Sequence, residues 1–193
     1  MQVERFPLAG PLLITPHVIG DNRGHFFESW QRRRFAEALG LPEEEAPTFA
    51  QDNQSRSCQG VLRGLHYQMP PFAQGKLVRC VQGEIFDVAV DIRRASPTFG
   101  QWVGARLSAD NHRQLWVPDG FAHGFLVLSD SADVLYKTTT YWNRNAERSI
   151  LWNDPALAIP WPLLPDAPPP SVSDKDRLAP TLRDAADRGD VFP

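Results

Sequence analysis

Short apolar runs separated by turn residues fill the middle of the chain, from about residue 48 to about residue 153. They are rich in Val, Leu, Ile, Phe, Trp and Thr, which favour β-strands, and no helix-length pattern lies between them. Short strands at such spacing predict an antiparallel sandwich or a small barrel. The clearest six are KLVRCV (76–81), IFDVAVDI (85–92), QWVGARL (101–107), RQLWV (113–117), HGFLVL (123–128) and VLYKTTTYW (134–142).

A helical pattern precedes this β region in SWQRRRFAEALGL (29–41). Ser29 is suited to cap the start of the helix and Gly40 to end it. The apolar stripe of this helix would consist of Trp30, Phe35, Ala38 and Leu39. We therefore expect one short helix at the edge of the β core.

The composition changes again after residue 160, because residues 160–193 contain eight prolines and have an acidic, weakly helical end. This pattern predicts an arm that wraps around the β core, not a second domain. We therefore expect a single domain over residues 1–193, with the β core at about 48–153 and the proline-rich arm at about 160–193.

The charge pattern excludes some classes of partner. The 193 residues carry a formal net charge of −3, and the basic residues are scattered except for three consecutive arginines at 32–34, which argues against a nucleic-acid partner. No run of about 18 apolar residues is present, and the first ten residues lack the features of a signal peptide. The two cysteines, Cys58 and Cys80, do not have the spacing of a zinc site. We expect a cytoplasmic protein with no membrane partner.

One stretch, GVLRGLHYQMPPFAQGKLVRCVQGE (60–84), places Arg63, His66 and Lys76 beside strand-like sequence. An unpaired lysine inside a barrel would be costly, so a purely structural role does not explain Lys76. A fixed cation can stabilise an enolate, and a histidine that titrates near neutrality can remove the proton that creates it. The combination favours proton abstraction next to a carbonyl group.

A second stretch, PDGFAHGF (118–125), contains Pro118, Gly120 and His123 in the pattern P-x-G-x-x-H. This pattern resembles the second motif of the cupin superfamily of double-sheet β-barrels. In metal-binding cupins the first motif supplies two histidines and a glutamate, whereas Gln68 and Lys76 stand at two of those positions here. A protonated lysine has no lone pair and repels a divalent ion, so we expect no metal.

An ordered series of motifs carries a more specific resemblance. The segments DNRGHFFES, QDNQSRS, GVLRGLHYQ, QGKLVRCVQGEIFDVAVDIR, QLWVPDGFAHGF, YKTT and ILWNDP are similar to those of dTDP-4-dehydrorhamnose 3,5-epimerases. The similarity runs from about Asp21 to Pro162, and more loosely to Asp176. It implies an all-β fold, a cupin-type jelly-roll β-barrel (double-stranded β-helix), with a short helix in the amino-terminal region and the proline-rich carboxy-terminal arm.

The resemblance also implies an activity that needs no cofactor. The family's substrate is dTDP-4-dehydro-6-deoxy-D-glucose, a dTDP-linked 4-keto-6-deoxyhexose whose ketone acidifies the hydrogens on C3 and C5. Epimerisation at both carbons gives dTDP-4-dehydro-L-rhamnose in dTDP-L-rhamnose biosynthesis. Each inversion needs a base on one face of the sugar and a proton donor on the other.

Four residues match the family's catalytic positions. His66 matches the general base, Tyr136 the proton donor on the opposite face, and Lys76 the counter-charge of the enolate. Asp174 resembles the carboxylate that orients the histidine, although an acid just after Ser173 is also ordinary in the first turn of a helix.

Other residues match substrate-binding positions. Arg63 and Arg23 would grip the phosphates, and the family pattern brings Arg23 across the interface of a homodimer. His123 would bind substrate or remain as a hydrogen-bonded core residue. The remaining matches are Glu28, Gln51, Asp52, Asn53, Glu147 and Lys175.

Arg63 and His66 raise a geometric difficulty, since residues three apart on a regular strand point to opposite faces. Gly64 predicts how both side chains could reach one cavity, through a bulge or kink at 63–65.

Three alternative functions stay open. They are an epimerase acting at one carbon of a related nucleotide-linked 4-ketosugar, a metal-dependent cupin isomerase or oxygenase, and a non-catalytic sugar-nucleotide binding module.

Overall fold

The computed structural model describes residues 1–163 and 168–193, and in these residues the fold is mainly β. The helices are α1 (Arg32–Leu39), α2 (Asp174–Arg177) and α3 (Leu182–Asp187). The strands are β1 (Gln2–Arg5), β2 (Leu12–Thr15), β3 (Ile19–Asp21), β4 (Gly24–Phe26), β5 (Gln51–Cys58), β6 (Leu62–Gln68), β7 (Lys76–Gln82), β8 (Glu84–Asp91), β9 (Trp102–Ser108), β10 (Gln114–Val117), β11 (Phe121–Val127), β12 (Ser131–Thr138) and β13 (Glu147–Ser149).

Two antiparallel sheets form the body of the protein. The first has six strands in the order β1-β2-β10-β7-β12-β5, and the second has five in the order β13-β6-β11-β8-β9. Strands β3 and β4 form a separate hairpin. This is the predicted cupin-like jelly roll, and the six strands that the apolar pattern indicated are β7 to β12. The predicted β core began too late, because β1 and β2 precede residue 48 and belong to the six-stranded sheet.

Buried side chains form three layers around these sheets. The central layer lies between them, where Val78 and Leu115 of one sheet join Ile85 and Phe125 of the other. On the outer face of the six-stranded sheet, Trp116 packs with Phe35 of α1. The outer face of the five-stranded sheet is covered by the carboxy-terminal segment, whose contribution includes Leu182, Ala185, Val191 and Phe192.

Helix α1 ends as predicted but begins later. Gly40 adopts the left-handed conformation with φ 75°, and its N–H donates to the carbonyls of Ala36 and Glu37. The cap at the start is Gln31, whose side chain accepts from Arg34 N at 2.7 Å. Ser29, the predicted cap, instead offers its carbonyl to Gln114 of β10. The first apolar residue of the stripe, Trp30, therefore lies outside the helix.

The carboxy-terminal arm is described except for residues 164–167, so a continuous wrap over 160–193 stays a prediction. Its described parts contact the five-stranded sheet at both ends. Ser171 pairs with Val61 beside β6, and Phe192 pairs with Arg93 just after β8. Among the described residues, no helix is long and apolar enough to cross a membrane.

Candidate active site

A cavity of about 460 Å³ opens between the two sheets. Strands from both sheets line it, so a bound molecule would be enclosed from two sides. Eight of its lining residues were predicted from sequence: Gln51, Asn53, Arg63, His66, Lys76, His123, Tyr136 and Glu147. Four others were not: Ser55, Gln74, Phe125 and Trp142.

An irregularity in β6 brings Arg63 and His66 to the same cavity. His66 pairs with His123 of β11, and Arg63 pairs with Phe125. Three residue steps along β6 therefore lie opposite two residue steps along β11. The predicted bulge is therefore present. Gly64 has φ 136°, and a Cβ atom there would lie 2.5 Å from the Cα of Gly124, so only glycine fits this close approach of the two strands.

His66 has a carboxylate partner, but it is Asp176 and not the predicted Asp174. The Nε2 atom of His66 lies 2.6 Å from Oδ1 of Asp176, which is 2% exposed. Asp174 faces solvent and pairs with Arg177. The two acids are two residues apart on α2, so they point in nearly opposite directions and only one can face β6.

The two members of this pair shift each other's titration. Burial lowers the pKa of His66, and the hydrogen bond and charge of Asp176 oppose that shift. Burial alone would raise the pKa of Asp176, yet the hydrogen bond with His66 keeps it below its ordinary value. At neutral pH the pair is therefore a neutral imidazole held by a carboxylate. Because Nε2 is engaged, Nδ1 is the ring nitrogen left to act as a base.

Lys76 is 8% exposed and lies against His66, since its Nζ donates to the His66 carbonyl at 3.0 Å. Burial lowers the pKa of Lys76 to about 8, while the carboxylates of Asp87 and Glu147 favour its charged form. The side chain is thus mostly an ammonium at pH 7, with donors to spare for an oxygen in the cavity.

A second histidine–aspartate pair lies deeper. His123 Nε2 is 2.7 Å from Oδ1 of Asp87, and both residues are buried. The other oxygen, Asp87 Oδ2, has no hydrogen-bond partner within residues 1–163 and 168–193. His123 is a hydrogen-bonded interior residue that also lines the cavity, and its contact with substrate stays a prediction.

Tyr136 reaches the cavity from the six-stranded sheet, through β12, whereas His66 comes from the five-stranded sheet. Burial raises the pKa of Tyr136, and the charge of Arg63 opposes that shift. The phenol therefore keeps its proton at neutral pH, as a proton donor must.

Four predicted substrate-binding residues are not among the residues that line the cavity. Arg23 lies on the β3–β4 hairpin and pairs with Asp21, and Glu28 pairs with Arg34. Asp52 faces the outside of the sheet and pairs with Lys137, because side chains alternate along β5 and its neighbours Gln51 and Asn53 face inward. Lys175 borders the site, with Nζ 2.9 Å from Oε2 of Glu147.

Gln68, at the position of a metal-binding histidine in other cupins, is used structurally. Its amide nitrogen donates to the carbonyls of Phe72 and Tyr141, and its oxygen accepts from Asn143 N. In the part of the chain that the structure describes, no group of three or more His, Cys, Asp or Glu side chains could hold a metal ion.

Among the residues missed from sequence, Asp176 had a usable signal. It is the second acid after Ser173 and takes the third helical position, where its N–H bonds to the Ser173 hydroxyl. Trp142 is the last residue of the final strand-like run and is 55% exposed, and its backbone N–H donates to Gln51 Oε1 at the edge of the cavity. Aromatic side chains commonly line ligand pockets, so a tryptophan at the end of a strand beside the cavity was a usable signal.

Residues 5–184 match the protein-family model of the dTDP-4-dehydrorhamnose 3,5-epimerases. The chain belongs to this family. A protein of that name from Pseudomonas aeruginosa is 57% identical over 193 residues, covering 100% of both chains.

Solved structures agree with this assignment. A dTDP-6-deoxy-D-glucose-3,5-epimerase from Legionella pneumophila, in complex with dTDP-4-keto-L-rhamnose, is 50% identical with a TM-score of 0.87, covering 94% of this chain and 93% of that one. A 3'-monoepimerase from Streptomyces bikiniensis, in complex with dTDP-quinovose, is 34% identical with a TM-score of 0.88, covering 97% and 92%. The same fold therefore occurs with epimerisation at one carbon.

Proposed function

We propose that this protein converts dTDP-4-dehydro-6-deoxy-D-glucose to dTDP-4-dehydro-L-rhamnose by epimerisation at C3 and C5, a step of dTDP-L-rhamnose biosynthesis. The observation that carries the proposal is that His66 and Tyr136 line one cavity from opposite sheets. A base and a proton donor on two sides of a sugar ring are what inversion of a carbon requires. The full-length identity to epimerases of this name supports the same reaction.

His66 acts as the base. Its Nδ1 takes the proton from the carbon next to the C4 ketone, the C–H electron pair enters the enolate, and the ring becomes an imidazolium. Asp176 holds the ring through Nε2 and stabilises that positive charge, as the aspartate of a catalytic triad does.

Lys76 and Tyr136 complete each inversion. The Lys76 ammonium stabilises the enolate oxygen, because a fixed charge in a site shielded from water interacts strongly with a developing anion. Tyr136 then gives its phenolic proton to the opposite face of the carbon. Each inversion leaves His66 protonated and Tyr136 deprotonated, and exchange with water restores both groups.

Arg63 holds the diphosphate, since its planar guanidinium can present two N–H groups to phosphate oxygens.

We propose that the protein is a homodimer in which Arg23 of each subunit reaches the cavity of the partner subunit. This accounts for the position of Arg23 on an exposed hairpin, away from the cavity of its own chain. We further propose a single domain over residues 1–193, because β1 and β2 belong to the six-stranded sheet, α3 packs on the five-stranded sheet, and the two sheets share one core. A cytoplasmic location stays a prediction.

The test is incubation with dTDP-4-dehydro-6-deoxy-D-glucose in D₂O, followed by NMR. We expect deuterium at C3 and C5 and the L-rhamno product. Deuterium at only one carbon would show a monoepimerase, and no exchange at either carbon would show a binding module.

A further inference from the structure

Ser57 on β5 is a buried hydroxyl without an assigned role. It is 6% exposed and lies two residues beyond Ser55, on the inward face of the strand that also presents Gln51 and Asn53. Its Oγ accepts a hydrogen bond from Arg63 Nε at 3.0 Å. Because β5 and β6 belong to different sheets, this contact joins the two walls of the cavity.

The hydrogen bond to Ser57 holds Arg63 at Nε, the atom that joins the guanidinium to the rest of the side chain. A guanidinium is planar and rigid, so fixing Nε fixes the plane in which both Nη atoms lie. Across residues 1–163 and 168–193 the Arg63 guanidinium makes no other hydrogen bond, and it therefore keeps its two-pronged end for a ligand. Arg63 also lies beside the irregular step in β6, where strand pairing alone does not hold the backbone in a regular register.

We propose that Ser57 is a positioning residue that aims the Arg63 guanidinium at the diphosphate of the bound nucleotide. The proposal rests on the proposed function, in which Arg63 binds that diphosphate. Ser57 itself need not touch the substrate. Its loss leaves the charge of Arg63 in place but lets the side chain rotate, so two-point binding of phosphate oxygens becomes less frequent.

The experiment measures which part of the ligand Ser57 affects. For Ser57→Ala we expect the Kd of dTDP and of inorganic pyrophosphate to rise about five- to tenfold by calorimetry, a loss within the range for one ordinary hydrogen bond. The Kd of thymidine, which lacks phosphate, should not change. KM for the sugar nucleotide should rise more than kcat falls, and Ser57→Thr, which restores a hydroxyl, should recover most of the affinity.

A matched control separates aiming from general loosening. Ser129→Ala removes another structural hydroxyl, which accepts from Glu84 N and donates to the Ser131 carbonyl and does not line the cavity. It should lower the melting temperature without changing affinity for dTDP. If Ser57→Ala weakens thymidine and pyrophosphate by the same factor, or weakens neither, the positioning role is wrong.

Arg63→Lys distinguishes this inference from the function on which it rests. Lysine keeps the charge but has no Nε–H for Ser57, so adding Ser57→Ala to Arg63→Lys should cause no further loss. If Arg63→Lys leaves the affinities for dTDP and pyrophosphate unchanged, the proposed role of Arg63 fails. If it weakens both while Ser57→Ala does not, only the role of Ser57 fails.

Discussion

His66 and Tyr136 reach the same cavity from different sheets, and their surroundings differ. The Nε2 atom of His66 is hydrogen-bonded to the buried carboxylate of Asp176, and the backbone carbonyl of His66 accepts a hydrogen bond from the Lys76 ammonium. Tyr136 has no hydrogen bond on its hydroxyl anywhere in residues 1–163 and 168–193, and its pKa is raised by burial. A base must be oriented and its positive form stabilised, so it needs partners. A donor only has to keep its proton until the enolate forms, and burial achieves that without a partner.

The largest effect is expected from His66→Asn, which removes the base but keeps a side chain of similar shape. We expect kcat to fall by roughly 10³- to 10⁴-fold, near the upper range for general-base catalysis. Deuterium from D₂O should appear at neither carbon. Exchange at an undiminished rate would place the base elsewhere.

Tyr136→Phe should cause a smaller loss and a different pattern. Inversion should slow by about 10²- to 10³-fold because no group protonates the opposite face. His66 can still remove and return a proton on its own face, so NMR in D₂O should show deuterium with retained configuration. Loss of exchange together with inversion would contradict the division of roles between the two sheets.

Asp176→Asn and Asp174→Asn form a matched pair on α2. For Asp176→Asn we expect a loss of roughly 10- to 100-fold in kcat, as for a residue that supports a general base whose own contribution is larger. Asp176 raises the pKa of His66, so its loss should also move the acid limb of the kcat/KM profile to lower pH. Asp174→Asn, at an exposed carboxylate, should change neither, and equal effects of the two substitutions would contradict the assignment.

The smallest effect is expected on the alkaline side of the pH profile. Lys76 is charged below its pKa of about 8 and neutral above it, so kcat/KM should fall as the pH rises through that value. Asp87 favours the ammonium, so Asp87→Asn should move this limb to lower pH by less than one unit. Asp133→Asn, the same change next to Arg56 on the outer side, should leave it in place. If the alkaline limb of the kcat/KM profile does not move in Asp87→Asn, then Asp87 does not stabilise the charged form of Lys76.

The pattern of apolar, polar and glycine residues predicted those features that depend on residues close together in the chain. Strand-like runs at 76–142 became β7 to β12, and Gly40 ended α1, because periodicity and backbone freedom act within a few residues. The bulge at Gly64 was also predictable, since Arg63 and His66 could share a cavity only if the alternation shifted. The early strands β1 and β2 were missed, because β2 joins the sheet by pairing with β10, about a hundred residues away, and no local pattern records that pairing.

The sequence by itself determined the family, the β architecture, and the histidine, lysine and tyrosine that line the cavity. Only the tertiary structure decided which aspartate meets His66, since α2 follows β6 by more than a hundred residues and packing of the carboxy-terminal segment on the five-stranded sheet sets its orientation. The contact of Ser57 with Arg63 was decided in the same way. Contacts between distant segments depend on how surfaces dock, and no local periodicity records that.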